Sequence, residues 1–107
     1  MSGSIDYREG ISPEKFYEQY YGESGLDERI VIELLNHVAQ ELRLPVTKLR
    51  PEDRFAVELA PRKGGGWDSG YGILLYEIQR HAKRKGIHVD RKICTIDDYL
   101  RVMSAVY

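Results

Sequence analysis

A single cysteine, Cys94, is all the thiol chemistry this sequence offers. With no second thiol, neither an internal disulfide nor a thiolate-built zinc site is available, and a reducing cytoplasm is the expected setting. Long apolar runs are missing as well. No stretch continues far enough to span a bilayer, and the opening MSGSIDYREG lacks the apolar segment of a signal peptide. Charge of one sign is not in excess: 16 Lys and Arg against 17 Asp and Glu leave a net charge of -1. Such a balance supplies no global field to draw nucleic acid or an acidic substrate. The three histidines, His37, His81 and His88, stand at no metal-ligand spacing. No serine-histidine-acid set can be argued from spacing either, so an enzyme is not expected. The KGGG stretch is not a nucleotide loop. Its Lys63 precedes the glycines instead of following them, and no strand leads into it.

What remains is a chain of 107 residues with 42% hydrophobic and 31% charged content, enough for one modest core. Hydrophobic spacing reads as helix throughout. The first ten residues lack periodicity and read as a loose lead-in. Ser12-Pro13 reads as an N-cap with proline at the first helical position, opening a short helix through EKFYEQYYG that docks on the main domain through Phe16, Tyr17, Tyr20 and Tyr21. Ser24 and Asp27 fit a capping box. Ile30, Val31, Leu34, Leu35, Val38, Ala39 and Leu42 then recur at the helical period up to Pro45. Residues 44–61 read as a long connection pinned by Leu44, Val46, Leu49, Phe55, Val57 and Leu59. A second long helix carries Tyr71, Leu74, Leu75, Ile78 and Ala82, with Lys83–Lys85 in its last turn and Gly86 just past it. Ile87 and Val89 anchor a turn. Thr95 and Asp98 form a capping box for a last helix with Ile96, Tyr99, Leu100, Met103 and Val106. The expected architecture is all-α: an N-terminal lead-in and short helix over 1–25, and a helical domain over 26–107. Cys94 reads as a small, buried or half-buried side chain.

The order of these features resembles the acyl carrier protein family. The residues that carry the likeness are ERIVIELLNHVAQELRLPVTKLRPEDRF, EL at 58–59, WDSG at 67–70, GIHVD and TIDDYLRVM. The resemblance covers roughly residues 26 to 106. It implies a three-to-four-helix bundle with a long first loop, here with an additional N-terminal helix. It also implies that Ser69 carries a 4'-phosphopantetheine arm holding an acyl or aminoacyl thioester, with Asp68 helping to position the transferase. The partners so implied are a phosphopantetheinyl transferase and acyl-processing enzymes, visiting along the second helix. A phosphodiester at a helix mouth suits the positive end of the helix dipole.

Three departures from the family pattern open an alternative. APRKGGG lengthens the approach to Asp68-Ser69. In the family an apolar residue follows the modified serine and core positions come six and ten residues after it. Counted from Ser69 these are Gly70, Leu75 and Gln79, whereas counted from Asp68 the later two are Leu74 and Ile78. The second helix ends in Arg80, His81, Lys83, Arg84 and Lys85, where the family displays acidic residues. The alternative is an acyl-carrier-like bundle without the arm, acting as a protein-binding module, with Asp68 or Ser69 serving only as an N-cap. Nucleic acid contacted by the basic run 80–92 ranks below both, and no membrane partner is expected.

Overall fold

The computed structural model describes residues 8–59 and 70–107. Among them are four α-helices, α1 (Pro13–Tyr21), α2 (Glu28–Leu42), α3 (Gly70–Lys85) and α4 (Ile96–Val106), with one 3-10 turn at Val46–Lys48. No strand forms among the described residues. The nearest approach to one is an isolated antiparallel bridge between Arg54 and Thr95. The all-α expectation therefore holds.

Local chemistry sets the helix ends. Ser12 caps α1 by accepting from the Lys15 amide, and Pro13 occupies the first helical turn. The expected Ser24/Asp27 capping box does not form. Asp27 is itself the N-cap of α2, accepting from the amides of Arg29 and Ile30. Ser24 instead closes the turn behind α1, donating to the Tyr21 carbonyl at 2.7 Å and accepting from the Leu26 amide at 3.1 Å. A carboxylate one residue from the helix start outcompetes a hydroxyl four residues away. At its other end α2 stops on Arg43, which takes the left-handed conformation (φ 58°). Gly86 ends α3 with φ 68°, its amide bonded to the Lys83 carbonyl and the Ile87 amide to the Ala82 carbonyl.

The Thr95/Asp98 box at α4 is present in both directions. Asp98 also accepts from the Cys94 amide at 2.9 Å and binds Arg91 at 2.8 Å. Burial favours its neutral form, but the amides of Cys94 and Thr95 and the Arg91 guanidinium together outweigh it and hold the carboxyl below the usual range. A carboxyl lowered in the fold contributes stability that is fully present above the ordinary value of 3.8 and is lost as pH falls through the folded value. Acid titration followed by circular dichroism is therefore expected to show a loss of stability below pH 3.8 that is smaller in Asp98→Asn than in the wild type.

One buried cluster joins all four helices. It draws on Val31, Leu34, Leu35 and Val38 of α2, Leu74 and Ile78 of α3, and Ile96, Tyr99, Leu100 and Met103 of α4. Helix α1 shares this core through Phe16 and Tyr21. Burying a side chain such as Phe16 contributes about 1.5–3 kcal/mol, which holds in place a nine-residue helix too short to persist alone. Tyr21 also donates to Asp97 on α4 at 2.6 Å.

The long connection is anchored more deeply than its apolar residues foretell. Leu49, Phe55 and Leu59 are buried as expected, but Val57 is 48% exposed. The decisive anchor is Asp53, fully buried, which grips Arg8 through two hydrogen bonds of 2.7 and 2.6 Å and accepts from the Arg50 amide. Residues 8–10 are consequently not a loose lead-in. The Ile11 amide bonds the Thr47 carbonyl, and Arg8 also donates to the Lys48 carbonyl. The far side of the loop docks on the start of α4 through backbone bonds from Ile96 to Asp53, Asp97 to Pro51 and Phe55 to Cys94. Cys94, expected at least half-buried, is exposed: it contributes its backbone to this junction and leaves its thiol outside.

Candidate functional site

Asp68 and Ser69, together with the glycines and Trp67 before them, lie outside the described residues. Helix α3 begins at Gly70, immediately after Ser69 in the chain. Gly70 is buried against the C-terminal end of α2, where a Cβ would stand 2.3 Å from the Glu41 carbonyl oxygen. Real Cβ atoms do not approach a backbone oxygen that closely, so the first turn of α3 admits no side chain at this point.

Tyr71 makes the opposite wall. Its ring stacks on Phe55 with centroids 4.8 Å apart and planes 14° from parallel. Its hydroxyl donates to the Ile93 carbonyl at 2.6 Å, tying the segment before α4 to the start of α3. Burial above all, with the nearby Asp98 carboxylate, raises the Tyr71 phenol above its ordinary value, so it stays a donor. Tyr71→Phe keeps the ring stack and removes one hydrogen bond. It is expected to cost about 1 kcal/mol in urea denaturation, with the helical signal intact. Beside this wall, Glu58 caps the Arg54 turn. Its bond from the Arg54 guanidinium, then the backbone amides of Arg54 and Glu58, hold its carboxyl down to about 2.

Downstream of the mouth, α3 divides sharply. Gly70, Leu74, Ile78 and Ala82 are buried at a strict four-residue interval. Tyr71 and Leu75 pack beside them, while Gln79 is exposed. The contacts of Gly70 with Glu41 and of Glu77 with His37 run α3 antiparallel to α2.

On the side facing α2 lies an open groove of about 1340 Å³ whose wall includes Glu33, His37, Glu77, His81 and Tyr107. His37 Nε2 and Glu77 Oε1 are 2.6 Å apart and bridge α2 to α3. Tyr107 donates to Glu33 and lies 5.6 Å from the His81 ring. These pairings were not visible in the sequence, because partners 40 and 74 positions apart meet only once the helices pack. Among the described residues no serine, threonine, cysteine or lysine lines this groove. Among the described residues no three His, Cys, Asp or Glu side chains gather to hold a metal ion. None of the described helices is long and apolar enough to cross a membrane.

No family model, no curated protein and no solved structure matches this chain.

Proposed function

We propose that this chain is an acyl-carrier-like helical bundle that works without a phosphopantetheine arm, as a protein-binding module that catalyses no reaction of its own. The observation that carries this reading is the buried stripe of α3. In the acyl carrier pattern the core positions stand six and ten residues after the modified serine. The buried Leu74 and Ile78 stand at those distances from Asp68, and one residue short of them from Ser69. An aspartate has no hydroxyl to accept the arm. Gly70 points the same way: an apolar residue belongs after a modified serine, and the approach of Glu41 leaves no room for one.

A second reading keeps the carrier function, with Ser69 bearing 4'-phosphopantetheine installed by a transferase with help from Asp68, and acyl-processing enzymes as partners. Two observations favour it. Ser69 directly precedes the first residue of α3, where free amides and the helix dipole stabilise a phosphodiester. Tyr71, stacked on Phe55, fills the apolar role that Gly70 leaves vacant.

Intact mass after incubation with coenzyme A and more than one phosphopantetheinyl transferase separates the two readings. The armless module shows no gain. A gain of one phosphopantetheine unit that disappears in Ser69→Ala would establish the carrier.

A further inference from the structure

Opposite its buried stripe, α3 presents a second ordered face. Ile73, Tyr76, Arg80 and Lys83 follow one another at three- and four-residue spacings, Arg84 stands four after Arg80, and the five share one side of the helix. All five are exposed. Tyr76, at 64%, is the most exposed large apolar side chain among the described residues, and Ile73 is 45% exposed. The stripe is divided lengthwise, apolar in its first half and cationic in its second, over about 16 Å at ~1.5 Å per residue.

The cations of this stripe have no carboxylate partner among the described residues, unlike Arg54, Arg91 and Arg101, which hold Glu58, Asp98 and Asp97. The helix dipole accounts for positive charge in the last turn. It does not account for Arg80 earlier in the helix, nor for an isoleucine and a tyrosine left in water on the same side.

Resting on the armless reading above, we infer that this outward face of α3 is the docking surface of the module, and that its partner is an acidic amphipathic protein segment. That segment sets apolar side chains against Ile73 and Tyr76 and carboxylates against Arg80, Lys83 and Arg84. A tyrosine ring offers a large contact area at small entropic cost, and arginine pairs carboxylates through two parallel bonds. A phosphate backbone would use the cations and leave Ile73 and Tyr76 unsatisfied. A chain of net charge -1 also supplies no long-range pull toward a polyanion or an anionic membrane.

The test titrates the full chain with two synthetic helical peptides of the same leucine face, one flanked by glutamates and the other by glutamines. Backbone amide shifts in nuclear magnetic resonance report the contact. Binding of the glutamate peptide is expected to perturb residues 73–84, to weaken with added salt, and to exceed that of the glutamine peptide by about tenfold. Tyr76→Ala and the pair Arg80→Glu, Arg84→Glu should each weaken it about tenfold or more. These side chains are exposed, and unchanged circular dichroism confirms that the variants fold. Three results would each overturn the assignment: no preference between the peptides, binding indifferent to the substitutions, or stronger retention by phosphatidylserine vesicles or by polyuridylate. Intact mass on the same protein is read separately. A phosphopantetheine gain at Ser69 would remove the armless reading whatever the peptides do. A failed titration with unchanged mass strikes only the α3 surface.

Discussion

Gly70→Ala is expected to destabilise the protein by about 2 kcal/mol, within the range for forcing a methyl group into a packed site. The sign is what makes the substitution informative. At an open helical position, replacing glycine by alanine stabilises by up to ~1 kcal/mol, because alanine loses less backbone freedom on folding. Here the added Cβ would meet the Glu41 carbonyl oxygen at 2.3 Å, with the Glu41 carbonyl carbon at 2.6 Å. Both are backbone atoms of α2, which cannot swing aside as a side chain would. The helix mouth would have to back away from α2 and loosen the packing of Leu74 and Tyr71 behind it. Chemical denaturation of the two proteins measures the difference, and a neutral or stabilised variant would show that α3 does not start pressed against α2.

Asp53→Ala carries the largest expected cost, about 3 kcal/mol, at the low end for breaking a buried ion pair because Arg8 keeps one edge in water. The carboxylate is fully buried and satisfies the Arg8 guanidinium twice and the Arg50 amide once. Deleting it leaves the Arg50 amide unpaired and Arg8 with the Lys48 carbonyl alone, and loosens the hold on the segment at residues 8–10. The guanidinium of Arg8, bonded first of all by Asp53, is held above its ordinary value. Thermal unfolding of Asp53→Ala and Arg8→Ala should show both variants weaker than the wild type. Removing the arginine strands a buried carboxylate with the Arg50 amide alone.

The helices were legible in the sequence because period and caps agreed. Ser12-Pro13, the Thr95/Asp98 box and Gly86 each mark an end through a local interaction, and the stripes of α2 and α4 are buried as their spacing demands. What sequence reasoning missed depends on long-range packing. Nothing in RPEDRF sets Asp53 apart from the charges around it, and only the return of Arg8 from 45 residues away makes it a core residue. Cys94 and Val57 are small or apolar, yet both are exposed: the Cys94 carbonyl accepts from the Phe55 amide, and the Val57 amide closes a local turn on the Arg54 carbonyl. Gly70 looked like a fault in the carrier pattern. In the fold it lets the start of α3 lie against the Glu41 carbonyl of α2.

The register of α3 was the unresolved point at the candidate site, since the same letters permit Asp68 or Ser69 in the attachment slot. Burial of Leu74 and Ile78, with Gln79 in water, favours the count from Asp68. The same division of the helix leaves Ile73, Tyr76 and Arg80 outside, where a partner can reach them.

The most direct measurement of this account is intact mass after treatment with coenzyme A and a broad-specificity transferase, made on the wild type, Ser69→Ala and Asp68→Ser side by side. If the α3 register assigns the slot to position 68, the wild type and Ser69→Ala stay unmodified, and Asp68→Ser alone gains a phosphopantetheine unit. A wild type that gains the unit and loses it in Ser69→Ala would contradict the account and make this chain a carrier.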